Sequence, residues 1–349
     1  HSMNQQITPP DLKQRSAGLD IARCLAILFV IAGHFFINTP AHDAIFEGPS
    51  MFIQGMGRTL FQTNVPLFLI LTGYLNLNKK ISRKYYRGMI AVVLSYIFIS
   101  VITILFREYY VGEHLSPIQW MLKITDFSAI SYAWYIEMWI GLFLLTPFLN
   151  ILWKNIATRR HKHILLLTLY ILCALPDLFN RYGVHLVPGY WSVIYPCAFF
   201  FIGAYIKEYQ PVAAKPRLLL FIICCCLINP VFNTLFISNH SMIQLIGTGN
   251  GVLGMPLAAA VFLLIYKAEI RTGWIKKALQ SISRVSLDMY LASYMFDVAA
   301  YSYFKTRFYD DQGQFGIWFF VVVPIVFICS YIFAILKKQT FVLLHLPTK

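Results

Sequence analysis

Ten long apolar runs, joined by short loops, constrain the fold of this chain more than any other feature. A membrane-spanning helix needs about 20 predominantly apolar residues. A mean hydropathy of +0.62, with 13% charged residues, leaves too little polar surface to coat a soluble globule. The sequence therefore predicts an all-α polytopic membrane protein with about ten transmembrane helices. We expect them at 18–38, 59–76, 85–106, 132–152, 164–179, 189–207, 217–237, 243–266, 279–304 and 316–336.

The runs form one membrane domain between two short tails. His1 and Ser2 precede Met3 in the manner of an expression scar. We expect residues 1–15 to comprise this scar and a cytoplasmic tail, residues 16–338 the transmembrane domain, and residues 339–349 a cytoplasmic C-terminal tail. The first apolar run is too long and too polar for the core of a signal peptide, so it is predicted to be a retained helix.

Basic residues are distributed unequally between alternate loops. If the N-terminus is cytoplasmic, 22 of the 29 Lys and Arg residues lie on the cytoplasmic side and six on the other, while Arg23 lies inside the first helix. The positive-inside rule then places both termini in the cytoplasm. The same rule largely accounts for the formal charge of +14, so we expect membrane lipids and no nucleic acid as partners.

Three polar residues interrupt the first apolar run: Asp20, Arg23 and His34. At about 100° per residue, Arg23 and His34 point within about 20° of each other, and Asp20 lies about 60° from Arg23. Such groups cost free energy in hydrocarbon unless they face protein or water. The shared face predicts an imidazole near mid-membrane that acts as a general base. The alternative is a histidine that only hydrogen-bonds between helices.

The densest basic cluster lies at the start of the third predicted helix and contains Arg83, Lys84 and Arg87. Lys84 and Arg87 are three residues apart, so they lie on neighbouring positions of one helix face. Donors at the start of a helix can clamp phosphate groups. Anchoring to lipid headgroups is the alternative interpretation.

Carboxylates also lie inside predicted spans. Glu137 and Asp297 fall in the half of the membrane that contains His34, so either one is a candidate to orient the imidazole. Asp288 falls near the depth of Arg23 and is a candidate to pair with it; both pairs could be purely structural. The seven cysteines lie in or beside apolar runs without the spacing of metal ligands, so no metal site is predicted.

The predicted outer ends of the helices have two further features. The segment GTGNGVLGMP, with Gly247, Gly249, Gly251 and Gly254, predicts a broken or close-packed end of the eighth span. Aromatic residues that suit either an interfacial belt or stacking on sugar rings are Trp134, Tyr135, Tyr190 and Trp191. Between the third and fourth spans, HLSPIQWMLKITDF predicts a short helix.

In chain order, these motifs resemble the acyltransferase-3 family, bacterial membrane acyltransferases that modify cell-surface glycans. The first helix contains Leu19 and Asp20, then Arg23, and then His34 after ten intervening residues. This order is similar to the family's first-helix pattern. PLFLILTGYL at 66–75 resembles its second-helix signature, and SLDMYL at 286–291 a later segment. Lys84 with Arg87 resembles the family's Arg-x-x-Arg motif, with lysine in the first place. Where many members carry histidine, this chain has Tyr132 and Ser293.

The resemblance implies acyl transfer, most often of acetyl, from cytoplasmic acyl-coenzyme A to a hydroxyl of an outward-facing glycan or lipid-linked sugar, in the bacterial inner membrane. It implies that Arg83, Lys84 and Arg87 hold the phosphates of coenzyme A. Arg23 would lie along the pantetheine path, and His34 would meet the thioester as a base or as a transient acyl carrier. The oligomeric state is left open.

Two other classes of function fit a chain with intramembrane charges. A transporter or glycan flippase would use the charges as a translocation path, although the hydropathy has no inverted repeat. A non-catalytic sensor or subunit would have no use for the pair of Arg23 and His34. Turnover of acetyl-coenzyme A by the purified protein distinguishes the enzyme from both.

Overall fold

The fold is a bundle of α-helices in a computed structural model that describes residues 15–181, 183–237, 242–244, 246, 249–308 and 311–348. Most of the N-terminal tail, residues 1–14, lies outside the described residues. The helices are α1 (Ala17–Asn38), α2 (Gly48–Phe61), α3 (Asn64–Asn76), α4 (Arg83–Phe106), α5 (Pro117–Thr125), α6 (Trp134–Asn155), α7 (Arg159–Phe179), α8 (Tyr195–Tyr209), α9 (Lys215–Phe236), α10 (Gly254–Ile265), α11 (Gly273–Arg284), α12 (Ser286–Phe308) and α13 (Gln312–Leu343).

Every predicted span coincides with at least one of these helices. In the described part of the chain, seven helical segments are long and apolar enough to cross a membrane. The all-helical, multi-pass prediction is therefore confirmed, whereas the count of ten spans and the cytoplasmic position of the termini stay predictions. The short helix expected between the third and fourth spans is α5, which begins with a capping box between Ser116 and Gln119.

The second predicted span is divided into two helices. Helix α2 ends at Phe61 and α3 begins at Asn64. Pro66 lacks the N–H that a continuous helix would donate to the carbonyl of Gln62, so the break has a local cause. The break matters because Gln62 and Asn64 line a cavity described below.

The eighth predicted span is shorter than expected, and the glycines account for the difference. Helix α10 begins only at Gly254, where a Cβ atom would overlap the backbone of Gly249. A Cβ atom at Gly251 would overlap the carboxylate of Asp177. The predicted break at this end is confirmed; Gly247 lies outside the described residues.

The ninth predicted span is also divided, at Val285, into α11 and α12. Helix α11 is amphipathic and packs against α1. Its residue Ser283 reaches the Arg23 side chain. The break therefore places a hydroxyl beside the arginine of the first helix.

Helix α1 is the central element of the bundle. Of its most apolar 18-residue window, 61% is buried, against 39% or less in the six other candidate spans. It packs against α2, α3, α10, α11, α12 and α13. Close backbone contact also joins α3 to α8, because Cβ atoms at Gly73 and Gly203 would each overlap the other helix.

Candidate active site

Two cavities lie along α1. The larger has a volume of about 870 Å³ and is lined by Arg23, and the smaller has a volume of about 180 Å³ and is lined by His34. The larger lies within the usual range for cofactor-sized ligands, and the smaller lies below it. Of the polar residues on the predicted face of α1, Arg23 therefore lines the larger cavity and His34 the smaller one.

Basic side chains dominate the larger cavity. Among the described residues that line it, the Lys and Arg side chains are Arg15, Arg23, Lys79, Lys80, Lys84, Arg284, Lys337 and Lys338. The carboxylate in this lining is Asp288, which pairs with Lys337 at 3.2 Å. The cavity is thus strongly electropositive, and we name it the basic cavity.

Hydrogen bonds to neighbouring polar groups fix the N-terminal end of α1. Asp20 is 4% exposed, and its Oδ1 and Oδ2 accept hydrogen bonds from the Arg15 guanidinium at 2.6 and 2.9 Å. The hydrogen bond to Asp20 raises the pKa of Arg15. Arg23 Nη1 donates to Ser283 Oγ at 3.4 Å. The arginine is therefore held at the wall of the basic cavity.

Asp288 and Lys337, near the C-terminal end of α13, form a second polar contact in the lining of the basic cavity. Lys337 is 6% exposed, and its Nζ donates to Ser95 Oγ at 2.6 Å and to Asp288 Oδ2 at 3.2 Å. The structure thus pairs Asp288 with Lys337, whereas the sequence suggested Arg23. In the sequence, Lys337 only follows the last predicted span, 316–336, so the pattern gives no sign of this contact.

His34 lies in a compact polar cluster at the smaller cavity, which we name the histidine cavity. Its ring stacks on Tyr132 with 3.8 Å between centroids. Its Nδ1 lies 3.5 Å from Asp297 Oδ2, and Asp297 is fully buried. The Tyr132 hydroxyl donates to the same carboxylate oxygen at 2.6 Å. Asn38 Nδ2 donates to the carbonyl of His34 at 2.8 Å and to the Tyr132 hydroxyl at 3.3 Å.

This cluster orients the imidazole. A carboxylate beside Nδ1 favours the tautomer with the proton on Nδ1, which leaves the lone pair on Nε2. The 3.5 Å separation is longer than a good hydrogen bond, as is common for catalytic contacts in the absence of substrate. His34 can therefore act chemically as a base or nucleophile through Nε2, with Asp297 stabilising its positive charge.

The remaining predicted site residues lie at exposed positions. Glu137 is exposed on α6, so of the two carboxylates proposed to orient His34 it is Asp297 that the structure places beside the ring. Lys84 lines the basic cavity, and Arg83 and Arg87 are exposed on the first turns of α4. The side chain of Ser82 caps this helix by accepting from the N–H of Tyr85 at 3.0 Å.

An aromatic layer separates the two cavities. Tyr290 is 1% exposed and lines both of them. Its ring centroid lies 5.3 Å from that of Tyr135 and 6.4 Å from that of Tyr132. Tyr290 is therefore a wall residue that the basic cavity shares with the cavity of the imidazole.

In a comparison with protein families, residues 16–335 match the Acyltransferase domain model of acyltransferase-3. The chain belongs to the acyltransferase-3 family. This finding confirms the resemblance drawn from the motifs and supports a membrane acyltransferase activity in general. No curated protein and no solved structure matches the chain.

For several residues of this acyltransferase the sequence indicates no role at the site. Tyr132 stands out there only as a departure from the family pattern, Tyr290 only as part of the SLDMYL segment, and Asn38 not at all, because their contacts join residues far apart in the chain. Arg58, which lines the histidine cavity, is one of the six Lys and Arg residues on the less basic side. A signal existed for Arg58, since a cation on the less basic side of a membrane protein goes against the positive-inside rule.

Proposed function

We propose that this acyltransferase moves an acyl group, most simply acetyl, from cytoplasmic acyl-coenzyme A to a hydroxyl of an outward-facing glycan or lipid-linked sugar. One observation carries the proposal: a basic cavity of cofactor size and a cavity with a carboxylate-oriented histidine share a single aromatic wall residue, Tyr290. Family membership supports acyl transfer, and the arrangement suggests the donor and its route.

The donor occupies the basic cavity. Coenzyme A carries several phosphate charges, which Lys and Arg donors bind through charge-assisted hydrogen bonds. Lys79, Lys80 and Lys84 line this cavity beside the start of α4. Arg83 and Arg87 are exposed on the same helix turn and add positive potential at the entrance. The pantetheine arm then passes Arg23, which Ser283 holds in the wall.

Transfer takes place at the histidine cavity. In the direct route, His34 Nε2 takes the proton of the acceptor hydroxyl while the hydroxyl oxygen attacks the thioester carbonyl. The C–S bond breaks, and the coenzyme A thiolate leaves and takes up the proton from the imidazolium. In the alternative route, Nε2 attacks the thioester first, the C–S bond breaks and the coenzyme A thiolate leaves an acyl-imidazolium. The acceptor hydroxyl then takes the acyl group and gives its proton to the thiolate, which frees Nε2. Asp297 stabilises the imidazolium or acyl-imidazolium in both routes.

The size of the histidine cavity supports a small acyl group. About 180 Å³ must hold both the acyl group and the reacting part of the acceptor, which is less than the usual volume of a site for one drug-sized ligand. Acetyl therefore fits the proposal better than a long acyl chain. The charge asymmetry between loops supports a cytoplasmic entrance for the donor. The bacterial inner membrane is part of this proposal, as the membrane in which the enzyme would act.

The test is acyl transfer by the purified protein in nanodiscs, with radiolabelled acetyl-coenzyme A and glycan extracted from the source cells. Wild type should release coenzyme A and label the glycan, and mass spectrometry should find the added acyl mass on the glycan. His34→Ala should do neither while it elutes as wild type in size exclusion. A wild-type protein that moves glycan across a bilayer without consuming the donor would contradict the proposal and support a flippase.

A further inference from the structure

A charged side chain that the proposed chemistry does not use lies in the histidine cavity. Arg58, on the last turn of α2, lines this cavity together with His34 and His42. Its guanidinium carries five N–H donors. The contact found for it is one long hydrogen bond from Nη1 to the carbonyl of Met242, at 3.4 Å.

Other partly buried arginines at this end of the bundle have carboxylate partners. Arg107 pairs with Glu113 at 2.6 Å, and Arg181 pairs with Asp177 at 2.7 Å. Among the residues that the structure describes, no carboxylate lies within ion-pair distance of Arg58. A half-buried guanidinium is costly without a counter-charge, and no carboxylate of the described residues pairs with the donors of Arg58.

The rest of the lining suits a sugar. Gln62 and Asn64 supply polar groups from the break between α2 and α3, and Trp134 offers an aromatic face that is 45% exposed. Among the described residues of the lining, none is an aspartate or glutamate. A neutral sugar would satisfy the polar groups but would leave the positive charge of Arg58 unpaired.

We propose that the histidine cavity is built for an acceptor with an anionic group, a carboxylate or a phosphate, which Arg58 binds while the neighbouring hydroxyl meets His34. Two oxygens of such a group match the planar guanidinium in a bidentate contact. The anion fixes the orientation of the sugar, and Trp134 packs against its ring. This inference rests on the proposed function, since it names the class of acceptor for the same site.

The test is binding, which needs no donor. Purified protein in nanodiscs of neutral phosphatidylcholine is titrated by calorimetry with methyl β-glucuronide, glucose 6-phosphate and methyl β-glucoside at one ionic strength. We expect at least one anionic sugar to bind wild type tenfold or more tightly than the glucoside, and the preferred anion identifies carboxylate or phosphate as the group. Arg58→Met should abolish the preference, and Arg58→Lys should retain part of it.

Arg307→Met is the matched control. Arg307 is exposed near the C-terminal end of α12, at the end of the bundle that contains His34, and its guanidinium lies over the ring of Tyr303. Its loss removes the same charge from the same end of the bundle and should leave the preference unchanged. Size exclusion and circular dichroism check that each variant is folded.

The outcomes separate this inference from the proposed function. Equal affinity of wild type for charged and neutral sugars, no measurable binding of either anion, or a preference that survives in Arg58→Met overturns the anionic acceptor. A preference that depends on Arg58, in a protein that never transfers an acyl group from acetyl-coenzyme A, overturns the proposed function instead. His34→Ala should keep the preference and lose transfer.

Discussion

The two cavities along α1 are built in different ways. The basic cavity is large, and most of its charges come from loops and helix ends, so each cation contributes a modest part of one electrostatic field. The histidine cavity is small, and His34, Tyr132 and Asp297 are fixed by contacts of 2.6–3.8 Å between buried groups. Single substitutions should therefore weaken binding in the first and stop chemistry in the second.

The largest effect is expected from His34→Ala. Loss of the base or acyl carrier should lower kcat by about 10²–10⁴-fold. Binding of coenzyme A, measured by calorimetry, should stay within about twofold, because His34 lies one cavity away from the basic side chains. An active His34→Ala variant would contradict the assignment of the chemistry to the histidine cavity.

Asp297→Asn should have the next largest effect. The amide keeps the shape of the carboxylate but cannot stabilise an imidazolium, so kcat should fall by up to about 100-fold. Tyr132→Phe is the milder companion variant, since it keeps the ring and the carboxylate and removes the hydrogen bond to Asp297 at 2.6 Å and the one from Asn38 at 3.3 Å. A pH profile of kcat distinguishes positioning from folding: a shift of the profile in Asp297→Asn supports an action through His34, and an unchanged profile counts against it.

A smaller effect, on KM, is expected from Lys84→Met. An exposed charge pair contributes up to about 1 kcal/mol, so KM for acetyl-coenzyme A should rise by about fivefold with little change in kcat. The effect should shrink as salt is added, because the pair is screened.

Arg87→Met is the matched comparison on the same helix. Arg87 is exposed on α4, whereas Lys84 lines the cavity, so the rise in KM should be smaller than for Lys84→Met. A larger rise in KM for Arg87→Met than for Lys84→Met would indicate that the phosphates bind on the exposed face of α4 and not in the basic cavity.

The smallest effect is expected from Glu137→Gln, which should change kcat and KM by less than about twofold. Glu137 is exposed on α6, and Asp297 has the position beside His34. If Glu137→Gln lost activity and Asp297→Asn kept it, the orientation of His34 would have to come from α6.

The positions of the apolar helices could be predicted because a run of apolar residues along the chain marks each of them. The sequence also predicted that Asp20, Arg23 and His34 share a face of α1, since helical period alone decides that. Depth counting reduced the partner of His34 to Glu137 or Asp297, but it could not choose between them, because the rotation of α6 and α12 about their axes depends on packing.

Contacts between distant segments account for what the sequence did not predict. Lys337 resembled an ordinary cytoplasmic anchor, yet it is buried against Ser95 and Asp288 from two other helices. Arg58 lines the histidine cavity from α2, which ends at Phe61 before the break near Pro66. The sequence predicted one continuous span from 59 to 76, in which Arg58 lies just outside the helix. Such positions follow from the order of helices in the bundle, which hydropathy does not encode.

The most direct test of the two-cavity account is a cryo-EM structure of the His34→Ala variant with acetyl-coenzyme A. We predict density for the nucleotide among Lys79, Lys80 and Lys84, a displaced Tyr290 ring, and the acetyl group in the histidine cavity next to the substituted position. A nucleotide bound at the opposite end of the bundle, or an acetyl group that stays on the basic side of a fixed Tyr290, would contradict the account.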